Sequence, residues 1–213
     1  MIRQLLPDHV ASAECFGEDA QAHLFPAERL AIAPALGGRL DEFTTGRACA
    51  RKALAHFGMP PVAIPHCRDN GPHWPDGFVG SITHCRGYRA AAVARQPQVL
   101  SIGIDAETAQ PVSARVTENI ALPSEREWLR HRPPVLATVL FSIKESIYKA
   151  WHPLAKRWLG FRDAEVTLLP GGAFTARLLV PAPAALGGGL SGRYLIGDRF
   201  ILAATVVPHA PDA

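Results

Sequence analysis

The alternation of apolar and polar positions predicts two long helices, one short helix and six strands. Apolar residues recur at helical spacing from Arg39 to Phe57 and again from Val135 to Trp151, which is typical of helices with one buried face. The short helix is predicted to extend through Leu129. The predicted strands are residues 78–84, 88–95, 99–107, 164–169, 173–180 and 200–207.

Turn and cap signals set the limits of these elements. Ser124 and Glu127 match an S-x-x-E pattern, which predicts a capping box at the start of the short helix. Pro153 is expected to end the second long helix at His152, because the residue before a proline disfavours helical geometry. The stretch from Pro181 to Gly192 is interpreted as a flexible turn region.

Each half of this pattern contains one long helix and several strands. The seam between the halves falls near residues 100–110. We therefore predict an α+β fold built from an N-terminal half, residues 1–103, and a C-terminal half, residues 104–213.

The composition is that of a globular protein. Of the 213 residues, 48% are hydrophobic and 19% are charged, and the net charge is +3. These values exclude a protein that is mainly collagen-like, coiled-coil or disordered. The small net charge does not by itself indicate a nucleic-acid partner. No apolar run approaches the ~20 residues of a membrane span, and the N-terminal apolar run is too short for a signal peptide. The four cysteines show no C-x-x-C spacing, so we expect a protein of the reducing cytoplasm.

Two carboxylates follow an apolar strand segment. Alternate strand residues point to the same face, so Asp105 and Glu107 should converge, with Ala106 on the opposite face. Two adjacent negative charges favour a bound cation, and hard oxygen ligands suit Mg²⁺ or Mn²⁺. A solvated strand end is the simpler alternative, because acidic triplets of this kind are common.

Charged residues on the second long helix lie beside aromatic ones. Glu145 and Lys149 are one turn apart, close to Phe141 and Tyr148. The pair could be an exposed salt bridge, which contributes only a few tenths of a kcal/mol. Alternatively, a carboxylate held beside partly buried rings could supply a third metal ligand or a base.

Polar groups in the N-terminal half suit an anion. Arg47 and Arg51 are one helical turn apart, where like charges are mildly destabilising, and guanidinium groups suit phosphate. Ser81 and Thr83 share a strand face that ends at His84, and all three can hydrogen-bond a phosphate. Ordinary surface arginines and a polar cluster beside a turn are the alternatives.

Four segments together resemble the 4'-phosphopantetheinyl transferases, in particular the enterobactin synthetase component D-like branch. They are Glu42–Leu54, Trp74–His84, the G-I-D-A-E segment Gly103–Glu107 and the F-S-I-K-E-S-I-Y-K-A segment Phe141–Ala150. The likeness extends in order from about residue 40 to residue 152, and more loosely through residues 192–194.

The resemblance implies a fold and a reaction. Members of this family consist of two similar halves related by pseudo-twofold symmetry, with coenzyme A in the cleft between them. They transfer the phosphopantetheine arm of coenzyme A to a serine of a carrier protein and release adenosine 3',5'-bisphosphate. The resemblance implies that Asp105, Glu107 and Glu145 bind Mg²⁺, or alternatively Mn²⁺. It also implies that Glu145, or a water it polarises, is the base, and that Lys149 takes part in catalysis.

The resemblance further implies which residues contact coenzyme A. These residues are all basic or hydroxyl-bearing: Arg47, Arg51, Arg68, Ser81, Thr83, His84, Lys144 and Lys149. The lysines are expected at the diphosphate or the nucleotide phosphate. The helix arginines and the histidine are expected at the ribose-side phosphate and the diphosphate, the hydroxyls add hydrogen bonds, and Arg68 is a further phosphate contact.

The expected partners are coenzyme A and an apo acyl carrier or peptidyl carrier protein, without nucleic acid or membrane, and the expected state is a monomer. The sequence leaves open whether the carrier serves fatty-acid, polyketide or peptide synthesis. The main alternative is a non-catalytic module that binds coenzyme A or a nucleotide and does not need Glu145. A nucleic-acid-binding protein would show stripes of Lys and Arg with interleaved aromatic residues, which this sequence lacks.

Overall fold

The structure, a computed structural model, describes residues 1–32, 38–66, 71–96, 98–187 and 189–209. The helices are α1 (Pro26–Ile32), α2 (Gly38–Ala55), α3 (Ala114–Ile120), α4 (Pro123–Leu129) and α5 (Val135–Ala155). The strands are β1 (Ala11–Phe16), β2 (Phe78–Cys85), β3 (Tyr88–Arg95), β4 (Val99–Thr108), β5 (Ala164–Leu169), β6 (Ala173–Leu178), β7 (Gly189–Ile196) and β8 (Phe200–Pro208). Within these ranges, no helix combines the length and apolar character needed to cross a bilayer.

The strands form two antiparallel sheets. One has three strands in the order β1-β3-β2, and the other has five in the order β4-β8-β7-β6-β5. The predicted mixed α/β architecture is confirmed. The boundary that we predict between residues 103 and 104 falls inside β4, which pairs with β8 along its length.

The elements stack in four layers, and the side chains of β3 and β4 show how. Ala91 and Val93 face helix α2, whereas Ala90, Ala92 and Ala94 pack toward the five-stranded sheet. On β4, the apolar side chains of Ile102, Ile104 and Ala106 meet that three-stranded sheet. The opposite face of the five-stranded sheet is covered by α5, whose residues Ile143, Ile147 and Trp151 are buried.

A glycine sets the distance between β4 and α5. A Cβ atom at Gly103 would lie 1.8 Å from the carbonyl oxygen of Ser146 and 2.6 Å from the amide nitrogen of Ala150. The helix backbone therefore rests directly on the strand at this point. Because side chains alternate along a strand, Asp105 and Glu107 face α5 together with Gly103.

Two predicted helix limits are wrong. The first turn of α4 is closed by Glu125, whose carboxylate accepts from the amide of Leu122 at 2.7 Å, and not by the predicted box of Ser124 and Glu127. The hydroxyl of Ser124 donates instead to Glu165. Pro123 occupies the first helical position, so the helix begins before the predicted cap.

Helix α5 continues past the predicted end at His152. Pro153 lies inside it, and the helix closes at Lys156, which has a left-handed conformation with φ 51° and donates its amide to the carbonyl of His152. The indole of Trp151 donates to the carbonyl of Arg157 at 2.9 Å. This buried anchor holds the last turn, so the hydrogen bond lost at Pro153 does not end the helix.

Several elements lie outside the sequence prediction. Strand β7 begins at Gly189, inside the stretch predicted as a flexible turn, because it is paired on both sides by β6 and β8. Strand β1 and helices α1 and α3 were not predicted either. They are short, and their apolar residues do not repeat often enough to establish a period.

Candidate functional site

Three carboxylates, two on a strand and one on the helix that packs against it, act on one another through their charges. Asp105 and Glu107 extend from β4, and Glu145 lies on the turn of α5 that packs against the strand at Gly103. Ala106 is buried on the opposite face, so the predicted alternation is confirmed. We call Asp105, Glu107 and Glu145 the acidic centre.

Lys149 joins the helix to the acidic centre. Its ammonium donates to Oδ1 of Asp105 at 2.7 Å and to the carbonyl of Ile104 at 3.1 Å. The hydroxyl of Thr83 lies 3.5 Å from the same carboxylate oxygen. The other oxygen of Asp105, Oδ2, is buried and has no hydrogen-bond partner among the described residues.

Burial and neighbouring negative charge raise the pKa values of two carboxylates in the acidic centre. Burial raises the pKa of Glu107 to about 7, and the charge of Asp105 adds to the increase while Lys149 opposes it. Burial also raises the pKa of Glu145, again with Asp105 adding and Lys149 opposing. Each of these two carboxylates is therefore destabilised by the negative charge of its neighbours, and added positive charge would stabilise their ionised forms.

The acidic centre has the donor chemistry of a hard-cation site but not its assembled geometry. Across the described ranges, no three Asp, Glu, His or Cys side chains are grouped closely enough to hold a metal ion. The ammonium of Lys149 neutralises Asp105 instead. The orphaned Oδ2 of Asp105, beside two more carboxylates, fits an additional cation such as Mg²⁺.

A second polar cluster lies at the end of β2. His84 Nδ1 is 3.2 Å from Oε2 of Glu42 on α2, and Nη2 of Arg89 on β3 is 3.6 Å from Oε1 of the same carboxylate. Burial lowers the pKa of His84, with Glu42 opposing this effect and the charge of Lys149 contributing to it. Glu42 and Arg89 were not predicted from the sequence. The pairing of β2 with β3 places Arg89 opposite His84, and the short gap between the predicted strands, residues 78–84 and 88–95, is the sequence signal for this pairing.

A cleft of about 500 Å³ opens beside Lys149. Its walls are β2 and the last turns of α5, and its lining includes Trp74, Ser81, Tyr148 and Lys149. Gly80 has no side chain to separate it from Trp74, whose ring would lie 2.7 Å from a Cβ at that position. The cleft therefore joins the N-terminal strand segment to the helix that carries Glu145.

The two predicted arginines have different environments. Arg51 donates to Oε1 of Glu28 at 2.7 Å and to the carbonyl of His23 at 2.6 Å, so its charge is used inside the fold. Arg47 is buried over the ring of Phe43 and donates through Nε to the carbonyl of Ile64. Its Nη2 has no partner among the described residues, and burial lowers the pKa of Arg47 to about 10.

Lys144 does not lie with Lys149. Its ammonium donates to Oε2 of Glu125 and to the carbonyls of Ile120 and Phe161, all at 2.9 Å or less. All three donors are used inside the fold, and the expected phosphate contact of Lys144 stays a prediction.

The three other predicted coenzyme A contacts are Ser81, Thr83 and Arg68. Ser81 accepts from the amide of Ile104 at 3.1 Å, so its hydroxyl links β2 to β4. Thr83 points to the same strand, toward Asp105. Arg68 lies outside the described residues.

Comparison with known proteins gives a family. The model of the 4'-phosphopantetheinyl transferase N-terminal domain matches residues 27–94, and that of the 4'-phosphopantetheinyl transferase superfamily matches residues 101–196. The chain is 45% identical to 4'-phosphopantetheinyl transferase Svp of Streptomyces mobaraensis, over 97% of this chain and 89% of that protein. It is 46% identical to 4'-phosphopantetheinyl transferase Npt of Nocardia iowensis, over 96% of this chain and 98% of that protein. A shorter likeness, 34% identity over 70% of this chain and 62% of the relative, links it to enterobactin synthase component D of Salmonella typhi. The chain therefore belongs to the 4'-phosphopantetheinyl transferase family of enzymes.

Proposed function

We propose that this enzyme transfers the 4'-phosphopantetheine arm of coenzyme A to a serine of an apo acyl carrier or peptidyl carrier protein. The serine oxygen forms a bond to the phosphorus next to pantetheine, and the diphosphate bond to that phosphorus breaks. Adenosine 3',5'-bisphosphate leaves with the bridging oxygen. The proposal includes the family organisation of two halves with pseudo-twofold symmetry, divided between residues 103 and 104, and action as a monomer.

The convergence of Glu145 and Lys149 on Asp105, beside the cleft, carries this proposal. The cleft offers room for an extended ligand between β2 and α5. An ammonium already paired with a buried carboxylate provides positive charge where a diphosphate would enter. Phosphoryl transfer depends mostly on positioning and charge neutralisation, which this arrangement can supply.

Asp105, Glu107 and Glu145 would hold Mg²⁺, with Mn²⁺ as the alternative ion. When bound, the ion supplies Lewis-acid polarisation of the diphosphate. The support is the chemistry of the donors. The three carboxylates act on one another's charge, and Oδ2 of Asp105 has no hydrogen-bond partner among the described residues.

Glu145, directly or through a water, would accept the proton of the carrier serine. Burial raises its pKa, which makes its carboxylate a stronger base than an exposed glutamate. Lys149 would hold the diphosphate beside it. Glu145 and Lys149 lie one turn apart on α5, so one helix positions both the base and the positive charge.

In the N-terminal half, Arg47 of α2 and His84 of β2 would bind the phosphates of coenzyme A. Nη2 of Arg47 is buried and has no partner among the described residues, and guanidinium–phosphate contacts are charge-assisted. Thr83 would add a hydrogen bond. Arg51 and Lys144 would support helices α2 and α5 from inside the fold, through Glu28 and Glu125.

A direct transfer assay tests the proposal. The enzyme is incubated with coenzyme A, Mg²⁺ and a panel of apo-carriers, and the intact mass of each carrier is measured. We expect at least one carrier to gain the mass of one phosphopantetheine, and no gain when its acceptor serine is replaced by alanine. If the enzyme binds coenzyme A but modifies no carrier in a panel spanning fatty-acid, polyketide and peptide synthesis, the transfer proposal is wrong.

A further inference from the structure

We propose that Glu42 is a positioning residue that orients the imidazole of His84 for phosphate binding, and that Arg89 fixes Glu42 from the neighbouring strand. The three residues come from α2, β2 and β3. This inference rests on the proposed function, because His84 is given a role there as a phosphate contact.

The protonation of the ring follows from its neighbours. Nδ1 of His84 lies 3.2 Å from Oε2 of Glu42, within ion-pairing range. A phosphate anion, like a carboxylate, can only accept, so a ring that contacts both must carry a proton on each nitrogen. Nε2 lies on the other side of the ring and therefore points away from Glu42. The charge of Glu42 thus favours the imidazolium and orients it.

The two oxygens of Glu42 have different partners. Oε2 faces His84, whereas Oε1 faces Nη2 of Arg89 at 3.6 Å. The Arg89 side chain is 7% exposed, while that of His84 is 51% exposed. The carboxylate is therefore held from the buried side by an arginine, and it presents its other oxygen to the accessible imidazole.

The imidazole of His84 lies close to the acidic centre, where a phosphate of the ligand would bind. His84 is the last but one residue of β2, next to Thr83, whose hydroxyl lies 3.5 Å from Asp105. The charges of Lys149 and Asp105 both act on the imidazole. A ring turned by Glu42 so that Nε2 points away from α2 is available to a ligand phosphate held beside Lys149.

A double-mutant cycle tests whether Glu42 acts through His84. The dissociation constant of coenzyme A is measured by calorimetry, in buffer containing Mg²⁺, for the parent, Glu42→Ala, His84→Ala and the double variant. We expect Glu42→Ala to weaken binding by about tenfold, the size of one charge-assisted contact to phosphate. In the His84→Ala background, we expect the same substitution to change binding by less than about twofold. Asp41→Ala, in the same turn of α2 and exposed, is the matched charge control and should leave binding unchanged.

Equal losses in both backgrounds would show that Glu42 supports the fold or the general field rather than His84, and would overturn the proposal. The same conclusion would follow if Asp41→Ala weakened binding as much as Glu42→Ala. Circular dichroism melting checks that every variant is folded.

A second measurement reads the ring directly and does not depend on activity. Nitrogen-15 spectra of the parent with coenzyme A bound report the protonation of His84, whose signals are assigned by their loss in folded His84→Ala. We expect both ring nitrogens to be protonated in this complex, and a neutral ring would overturn the proposal. A protein that shows the imidazolium but modifies no carrier would refute the proposed transfer and leave the Glu42–His84 pairing intact.

Discussion

Helix α5 carries two lysine–carboxylate pairs with the same N–O distance. The pairs differ in the exposure of the lysine and in the further hydrogen bonds of the carboxylate. Lys144 meets Glu125 and Lys149 meets Asp105, each at 2.7 Å. In the first pair, the side chains are 1% and 5% exposed, and Glu125 also accepts from the amides of Leu122 and Val166. In the second pair, Lys149 is 27% exposed and one oxygen of Asp105 has no partner among the described residues.

This difference separates a structural ion pair from a binding site. A buried pair is tolerated when further hydrogen bonds satisfy the remaining donors and acceptors, and the Lys144–Glu125 pair meets that condition. The Lys149–Asp105 pair does not, so it retains capacity for another ligand. We call the first a closed pair and the second an open pair.

The N-terminal half shows the same contrast on helix α2. Arg51 forms a closed pair with Glu28, whose carboxylate also accepts from the amides of Phe25 and Ile64. Arg47, one turn earlier, keeps a buried Nη2 without a partner among the described residues. Helices α2 and α5 thus each carry one basic residue whose donors are used inside the fold. The other basic residue of each helix keeps a free donor or a carboxylate partner with a free oxygen among the described residues.

Removing divalent ions should have the largest effect at the open pair. We expect EDTA to abolish transfer and added Mg²⁺ to restore it, because three carboxylates repel one another without a cation. Transfer is measured by the intact mass of the carrier, and melting in EDTA checks that the fold is kept. Full activity in a metal-free preparation would contradict the assignment of the acidic centre to a metal.

Glu145→Gln should abolish measurable transfer while leaving coenzyme A binding largely intact. A base contributes about 10²–10⁴-fold to a rate, and the amide can neither take the proton nor bind a cation as well. Turnover and calorimetric affinity are measured together. Glu127→Gln, on exposed α4, is the control that should transfer normally. Transfer by Glu145→Gln at the parental rate would remove both of its assigned roles.

Lys144→Met should act on stability more than on chemistry. Breaking a buried pair leaves the charge of Glu125 uncompensated, which costs about 3–5 kcal/mol in the free energy of unfolding. Urea unfolding measures this loss, and adding Glu125→Gln should recover part of it. Arg130→Met, which breaks the exposed pair with Glu127, should cost less than about 1 kcal/mol. Equal costs for the two would mean that the Lys144 pair is not closed in solution.

Gly103→Ala should displace α5 from β4. The new Cβ would meet helix backbone at 1.8 Å, and overpacking of this kind costs about 1–3 kcal/mol or more. We expect a lower melting temperature and a lower turnover, since Glu145 and Lys149 move with the helix. Gly46→Ala is the control, because its Cβ would meet only a methyl group of Ile82 at 3.1 Å. A variant with unchanged turnover would show that the helix position is not critical.

Arg47→Ala should give the smallest effect on turnover. We expect the KM for coenzyme A to rise by about tenfold, the loss of one charge-assisted contact, with kcat at saturation nearly unchanged. Steady-state kinetics separate the two constants, and exposed Arg39→Ala on the same helix serves as control. A fall in kcat without a change in KM would be inconsistent with a phosphate contact.

Elements with a strong period were predictable, whereas the ends that depend on tertiary contacts were not. Helix α2 was predicted at Arg39–Phe57 and observed at Gly38–Ala55, and β4 was predicted to within one residue. The end of α5 was missed because the buried indole of Trp151 holds the turn around Pro153. The cap of α4 was misassigned because the carboxylate that closes it, Glu125, also bonds to Val166 of β5 and to Lys144, contacts that no local pattern displays.

The sequence alone determined which side chains share a face. A period of two places Asp105 with Glu107, and a period near four places Glu145 with Lys149, because each side chain's direction is set by its own backbone. Only the tertiary structure decided which ion pairs are closed and which are open. Lys144 and Lys149 are chemically identical, and their different roles come from partners up to 45 residues away in the chain, which packing brings to one and not to the other.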